Sequence, residues 1–362
     1  MYNPKDKSQY SMRDMFESLG TEGLVDTITD LIEGKDGGKP EMKPEDFSLT
    51  DIWESVGPST FPIVTGTLLS KKVMDAYELE SKKLNMLSTS YDSNLEIDKV
   101  PGMYGEGTLQ TIKPGGRYPH TGDIKEKYVQ IAGEKRGEIL DITEEAVKFD
   151  QTGLIMLRAA QFGERAAQDE EKRGMLTIQD VQYQGDNYYA WYPTGSRVAI
   201  YSTSTTAPHS QSNQVTNALA DHTDLDAANK LLRLMKAENG DPLNVTAKVL
   251  LVPVALEITA KRLINNTVLV GGTNGELNPF ANSVEVIASP WLDVNSSTVW
   301  YWGDFKKQFL KKVVFPLQVM VKNMSDNQDG FERDILASYK VRHYTQIGAQ
   351  DFRNVVKSTG AA

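Results

Sequence analysis

Tyr128-Val-Gln-Ile-Ala-Gly-Glu-Lys-Arg-Gly-Glu-Ile-Leu-Asp-Ile-Thr-Glu-Glu145 is the stretch whose reading decides the fold, together with the proline-free run from Gln151 to Met175 that follows it. The first part alternates. Tyr128, Gln130 and Ala132 fall on one side, with Val129, Ile131 and Gly133 on the other, which is the period of a strand. Gly137 is expected to break this strand, and Ile139, Leu140 and Ile142 to resume it. Thr143 then stands before Glu144 and Glu145, an N-cap with carboxylates where the helix dipole favours them. Beyond it, Ile155, Ala159, Phe162 and Ala166 recur at helical spacing as a narrow apolar stripe. Arg158, Glu164, Arg165, Asp169, Glu170, Glu171, Lys172 and Arg173 fill the other faces, and the carboxylates of 164–171 read as a solvated helix face rather than an acid/base pair. At 1.5 Å per residue such a helix is on the order of 38 Å long. It is expected to be a beam along which other elements lie.

Working outward, the 362 residues suggest about two domains. With 40% hydrophobic and 24% charged residues there is material for a sizeable core. No window approaches the ~20 apolar residues of a membrane span. The first residues, MYNPKDKSQYSMRD, are polar and are not a secretion signal. Cysteine is absent, which removes disulfides, thiolate catalysis and cysteine-built zinc sites. The net charge of −10 argues against a dedicated nucleic-acid binder. Most of that excess lies in residues 1–55, an acidic arm suited to basic protein surface.

Within the arm, Ser11 to Leu19 and Thr21 to Glu33 each read as a short capped helix stopped by glycine. A Gly/Pro/charged linker, 34–46, follows. The arm either docks on another subunit or is a partly disordered terminus. Leu68 to Leu87 has a helical pattern. From about Tyr104 to Gly137 runs a polar excursion with few large apolar residues and a tip at Gly115-Gly116. Its alternating flanks predict a two-stranded ribbon, marginal on its own. Loops this long are uncommon unless functional, and this one is expected either to be mobile or to be ordered by a neighbouring molecule.

Past the beam, 181–290 mixes strand and helix. It holds the Tyr/Trp-rich stretch 186–192, a helix from Leu225 to Asn239, a buried strand Lys248 to Pro253, a helix Ala255 to Ile264, and strands near 268–270 and 283–290. Longer antiparallel-looking strands are predicted at Thr298–Asp304, Val313–Lys322, Ile335–Tyr344 and Phe352–Lys357.

Chemistry finds no foothold in these patterns. His120, His209, His222 and His343 are far apart, lack ligand spacing and read as surface or loop residues. Gly271 to Gly275 lacks the spacing of a nucleotide loop. Asp326 to Gly330 lacks the ligands of a calcium loop. Tyr188, Tyr189, Trp191 and Tyr192 could stack on bases, but no basic run accompanies them. Catalytic, metal and cofactor sites are therefore expected to be absent. The one basic cluster is Lys306, Lys307, Lys311 and Lys312. Placed on a helix, Lys307 and Lys311 share a face. This face is either solvated or a socket for acidic surface such as the 1–55 arm.

The quoted loop-to-helix passage resembles that of tailed-phage major capsid proteins of the Hong Kong 97 type. Lys248-Val-Leu-Leu-Val-Pro, Val284-Glu-Val-Ile-Ala-Ser-Pro-Trp-Leu and Trp300-Tyr-Trp-Gly-Asp resemble their central-domain strands. Gly330-Phe-Glu-Arg-Asp, Tyr339-Lys-Val-Arg and Asp351-Phe-Arg-Asn-Val-Val-Lys-Ser resemble their C-terminal ending. The resemblance covers about 60–362. It implies an α+β fold with an N-terminal arm (1–60), an arm-to-peripheral-domain segment (61–103), an extended β-ribbon loop (104–137), a peripheral domain with the spine helix (138–180 and 299–362) and an α/β axial domain (181–298). It implies a homo-oligomer of hexamers and pentamers, a virion capsid assembled in the host cytoplasm, and packaged double-stranded DNA held non-specifically. Portal, decoration or scaffolding proteins are the further partners, and no membrane is involved. The loop would lie over an adjacent subunit, which makes Lys113, Arg117, Lys125 and Lys127, with Lys306, Lys307, Lys311 and Lys312, the candidate inter-subunit contacts. Some relatives carry a long cleaved scaffolding segment; here the arm is short and no cleavage is expected. No covalent bond from a loop lysine to Asn354 is expected. A nanocompartment shell around protein cargo, or a soluble enzyme or binding protein using 181–298, are the alternatives.

Overall fold

A computed structural model describes residues 61–80, 82–101, 111–115, 117, 128–149, 154–181, 199–205, 211–237, 240–267, 277–323 and 332–361. The two arm helices, the Tyr/Trp stretch 186–192, the strand near 268–270, the glycine turn 271–275 and the acidic loop 326–330 lie outside these residues.

The chain forms two compact units. One is Met1–Lys82, Lys135–Glu170 and Phe315–Tyr344; the other is Lys83–Glu134, Glu171–Val314 and Thr345–Ala362.

The first unit is built on α1 (Phe61–Glu80), most of β4 (Glu134–Thr143), α3 (Glu144–Lys148), the first part of α4 (Leu154–Gln179), and parts of β9 (Phe309–Asn323) and β10 (Ile335–Ala349). Its core collects Leu68, Leu69 and Val73 of α1, Ile155, Met156, Ala159 and Phe162 of α4, Ile142, Leu317, and Leu336, Ala337, Tyr339 and Val341 of β10. The apolar stripe read from the sequence is therefore the buried face of α4, with Ala166 packed at its margin. The spacing works because residues three and four apart share a helix face. Thr143 caps α3, its hydroxyl accepting from Ala146 N–H. The cap serves that short helix, and the beam starts later, at Leu154.

Two expectations are corrected here. Gly137 does not interrupt the strand: β4 runs through it without a break. Glycine is needed for space, because a Cβ there would stand 2.6 Å from the Val341 carbonyl oxygen. The acidic run 164–171 is not wholly solvated either. Glu170 is buried and accepts from Tyr77 Oη at 2.6 Å.

The second unit centres on a five-stranded sheet in the order β5 (Gln214–Val215), β11 (Val355–Ser358), β8 (Trp300–Gly303), β6 (Val249–Val252), β7 (Glu285–Ala288). β8 is antiparallel to both neighbours, and β6–β7 and β11–β5 are parallel. Every residue of β6 and β8 is buried. The continuous apolar run has a direct cause: alternate side chains enter different cores. Val249, Leu251 and Tyr301 join Leu84, Leu87, Met175, Ile178 and Phe305. Leu250, Val252, Trp300 and Trp302 join the helices α5 (His222–Arg233) and α6 (Glu257–Asn265). α5 starts three residues before the expected Leu225, at an Asp221–Asp224 capping box. Glu171 lies in this unit, buried, and accepts from Ser289 Oγ at 2.9 Å. His343, expected on a surface or in a loop, is buried within β10.

A ribbon leaves the second unit. β2 (Ile97–Pro101) pairs antiparallel with β3 (Tyr128–Ala132), from Ile97↔Ala132 to Pro101↔Tyr128. Gly115 sits in a turn at φ +82, the conformation that glycine adopts freely.

Candidate assembly surfaces

The root of the ribbon holds a buried polar cluster in the second unit. β1 (Thr89–Asp92) lies parallel to β9 with Tyr91 opposite Lys312. The chain turns at Ser93, whose N–H bonds the Val313 carbonyl at 2.9 Å and whose hydroxyl accepts from Leu95 N–H. It then enters β2. Lys312 is fully buried beneath this turn. Its ammonium donates to the carbonyls of Leu95 (2.7 Å), Glu96 (3.0 Å) and Ile131 (3.4 Å), and it lies 3.3 Å from Asp98 Oδ2. Tyr91 Oη donates to the same carboxylate at 3.2 Å. Burial pushes Asp98 up, but hydrogen bonds from Ser93, Lys312 and Tyr91 and the Lys312 charge outweigh it and hold the carboxyl below its ordinary value. The Tyr91 phenol is pushed above its ordinary range by burial and the adjacent Asp98. Val129, Ile131 and Phe352, with Tyr91, Val100 and Leu310, form an apolar collar in the same region.

This geometry divides the expected basic cluster. Lys306 and Lys307 are exposed on a one-turn helix, Phe305–Gln308. The chain then becomes a strand at Phe309, so the predicted shared helix face does not exist. Lys311 and Lys312 are buried. Lys307 approaches the buried Asp304 carboxylate at 4.0 Å, and Lys248 pairs with it at 2.7 Å. Lys113 and Arg117 are exposed, while Lys125 and Lys127 lie outside the described residues. Of the four lysines 306, 307, 311 and 312, the structure therefore exposes two and buries two. What the sequence reading missed was the Tyr91–Asp98–Lys312 cluster. The one available signal was Phe309-Leu-Lys-Lys-Val-Val-Phe315, rich in β-branched and aromatic residues and so a strand former.

Apolar side chains offer surface for contact. Val254, Ile258 and Val294 stand 47%, 75% and 73% exposed. They belong to segments joined where the Asp293 carboxylate accepts from the N–H groups of Val254 and Ala255. In the first unit Ile139, Phe149, Leu154 and Leu157 are exposed. Exposed apolar groups of this kind mark interaction surfaces when they cluster.

Clefts exist without assembled chemistry. One, of about 500 Å³, lies in the first unit between β4 and α4, lined by Arg136, Glu138, Arg165 and Asp169, which pair among themselves. Another, of about 600 Å³, lies in the second unit beside His222, Arg233, Phe280 and Trp302. Among the described residues there is no group of three or more His, Cys, Asp or Glu side chains placed to hold a metal. No helix among them is long and apolar enough to cross a membrane.

Comparison with known proteins now bears on this arrangement. The capsid of a native GTA particle, computed with C5 symmetry, matches with a TM-score of 0.51 at 10% identity, covering 78% of this chain and 91% of that one. The Mycobacterium phage Bobi structure matches at 0.46 and 12% identity over 76% and 88%. A virus-like particle from Pyrococcus furiosus matches at 0.42 and 12% identity over 80% and 97%. Curated protein sequences give no match. The first of these likenesses agrees with the mixed fold described above, a Hong Kong 97-type capsid fold. The family model described as phage capsid protein matches residues 127–358, from the return strand of the ribbon to the last strand of the sheet. With that model spanning well over half of its length, the chain belongs to the phage capsid protein family, as a major capsid protein.

Proposed function

We propose that copies of this chain close into an icosahedral head of hexamers and pentamers around packaged double-stranded DNA. The observation that carries this reading is the family match across residues 127–358. The mechanism is mechanical: stability is summed over several neighbours, each interface contributing apolar burial and polar complementarity. The exposed Ile258 and Val294 supply apolar contact area, and Lys113, Arg117, Lys306 and Lys307 supply charge at subunit contacts. The ribbon carried by β2 and β3 extends over an adjacent subunit. The segment 181–298 serves as the axial domain, and the peripheral domain is organised on α4.

The finer assignments follow from the same reading. A chain of net charge −10 attracts phosphate weakly overall, which lets densely packed DNA slide instead of binding at fixed sites. A portal at one vertex admits the DNA, with decoration or scaffolding proteins as further partners. Assembly takes place in the host cytoplasm. The chain performs no catalysis.

Electron microscopy of the purified full chain tests the reading. Closed particles of uniform size, with nuclease-protected DNA inside when isolated from infected cells, are the expected result. A chain that stays monomeric at every salt and protein concentration would overturn it, and particles filled with protein cargo would replace the DNA-filled head with a compartment.

A further inference from the structure

We infer that Lys312 is the positioning residue that sets the direction in which the ribbon leaves the body of the chain. The inference rests on the proposed shell-forming role, since direction matters only where the ribbon must meet a neighbour.

The argument starts from the cost of burial. A lysine ammonium is expensive to remove from water, and a buried ion pair is often replaceable by apolar side chains without loss of stability. Lys312 is nonetheless fully buried, its ammonium within reach of the Ile131 carbonyl at 3.4 Å. What distinguishes it is the origin of its acceptors. Leu95 and Glu96 lead into β2, Asp98 lies on β2, and Ile131 lies on β3. One cation on β9 therefore holds both legs of the ribbon. An apolar side chain of the same length would fill the space but bond neither leg.

The backbone pairing alone leaves this direction open. β2 and β3 bond to each other along five residue pairs, which fixes the ribbon internally. Its contact with β9 includes hydrogen bonds at the root. Ser93 N–H to the Val313 carbonyl lies before the ribbon begins, and the Lys312 bonds come at its root. The Tyr91 hydroxyl completes the arrangement from β1 by holding the carboxylate that faces Lys312. Without Lys312 the contacts left at this root are those of Tyr91 and Ser93 to Asp98, both on the first leg, and the apolar packing of Val129 and Ile131 on the second, a weaker hold against pivoting.

The chain's lack of cysteine makes the test clean. Cysteines placed at the exposed Lys113 and Lys261 carry spin labels, both within the second unit. Their distance distribution is measured in the unassembled full chain, with and without Lys312→Met. The expected result is a broadened or displaced distribution in a chain that still folds, a lowered unfolding temperature because Asp98 loses its cation, loss of regular particles, and partial recovery with Lys312→Arg. An unchanged distribution together with regular particles would overturn the inference. If Lys312→Met fails to fold, Asp98→Asn and Tyr91→Phe provide the reading: the same broadening supports the role, and parental behaviour in both refutes it. If the parent itself forms no particles, the shell-forming role fails, while the label distances still decide whether Lys312 orients the ribbon.

Discussion

Gly163 shows how little room single residues have. A Cβ there would stand 2.2 Å from the Val73 carbonyl oxygen and 3.1 Å from Tyr77 N. Both are backbone atoms of α1, which cannot swing aside. Gly163→Ala is expected to destabilise the first unit by about 1–3 kcal/mol through overpacking. A lower urea midpoint with an unchanged slope would register it. Asp98 provides a second test. Its carboxyl is held below its ordinary value by Ser93, Lys312 and Tyr91 against the opposing effect of burial. A carboxyl depressed in the folded state adds stability that is complete above its unfolded pKa of about 3.9 and fades as pH falls through the folded value. Stability of the unassembled chain should therefore drop across that acid range, and Asp98→Asn should flatten the drop. An identical pH profile for the variant would exclude Asp98 as its source.

Elements in this chain begin and end for local reasons. α5 opens on a reciprocal cap in which Asp221 accepts from Thr223 N–H at 2.8 Å and Asp224 accepts from Asp221 N–H at 3.1 Å. Asp221→Ala should cost about 1 kcal/mol, measurable as a lower thermal midpoint of the unassembled chain. α4 is 26 residues long, about 39 Å at helical rise. Its first part packs Ile155, Ala159 and Phe162 in one core, and its last part packs Met175 and Ile178 in another. Two different apolar faces serve two different cores, so a single stripe read along the helix accounts only for its first half. Arg173 shows the change. It lies off the first stripe, yet it is buried and donates to the Thr345 carbonyl at 2.9 Å.

For the whole molecule, the proposed role predicts how charge enters assembly. Lys306 and Lys307 are exposed, whereas Lys311 and Lys312 are not. Lys306→Glu with Lys307→Glu should leave folding intact and shift the salt dependence of particle formation, read by sedimentation across ionic strength. Surface charges act over only about a Debye length, about 8 Å at physiological salt, so the shift should vanish at high salt. Assembly with the parent's salt profile would remove these two lysines from the contact surface.

The sequence by itself determined the strands β6, β7, β8 and β11 of the central sheet, the cap at Thr143, the stripe on the first part of α4 and the existence of a ribbon. Each depends on residues within a few positions of one another, where period and turn chemistry act directly. Tertiary structure alone decided which charged groups are buried. Lys312, Glu170, Glu171 and Arg173 look like solvated residues in any short window. Their burial depends on partners far along the chain: Leu95 and Ile131 for Lys312, Tyr77 for Glu170, Ser289 for Glu171 and Thr345 for Arg173. A charge enters the interior only where distant segments converge to replace its water, and no local pattern records that convergence.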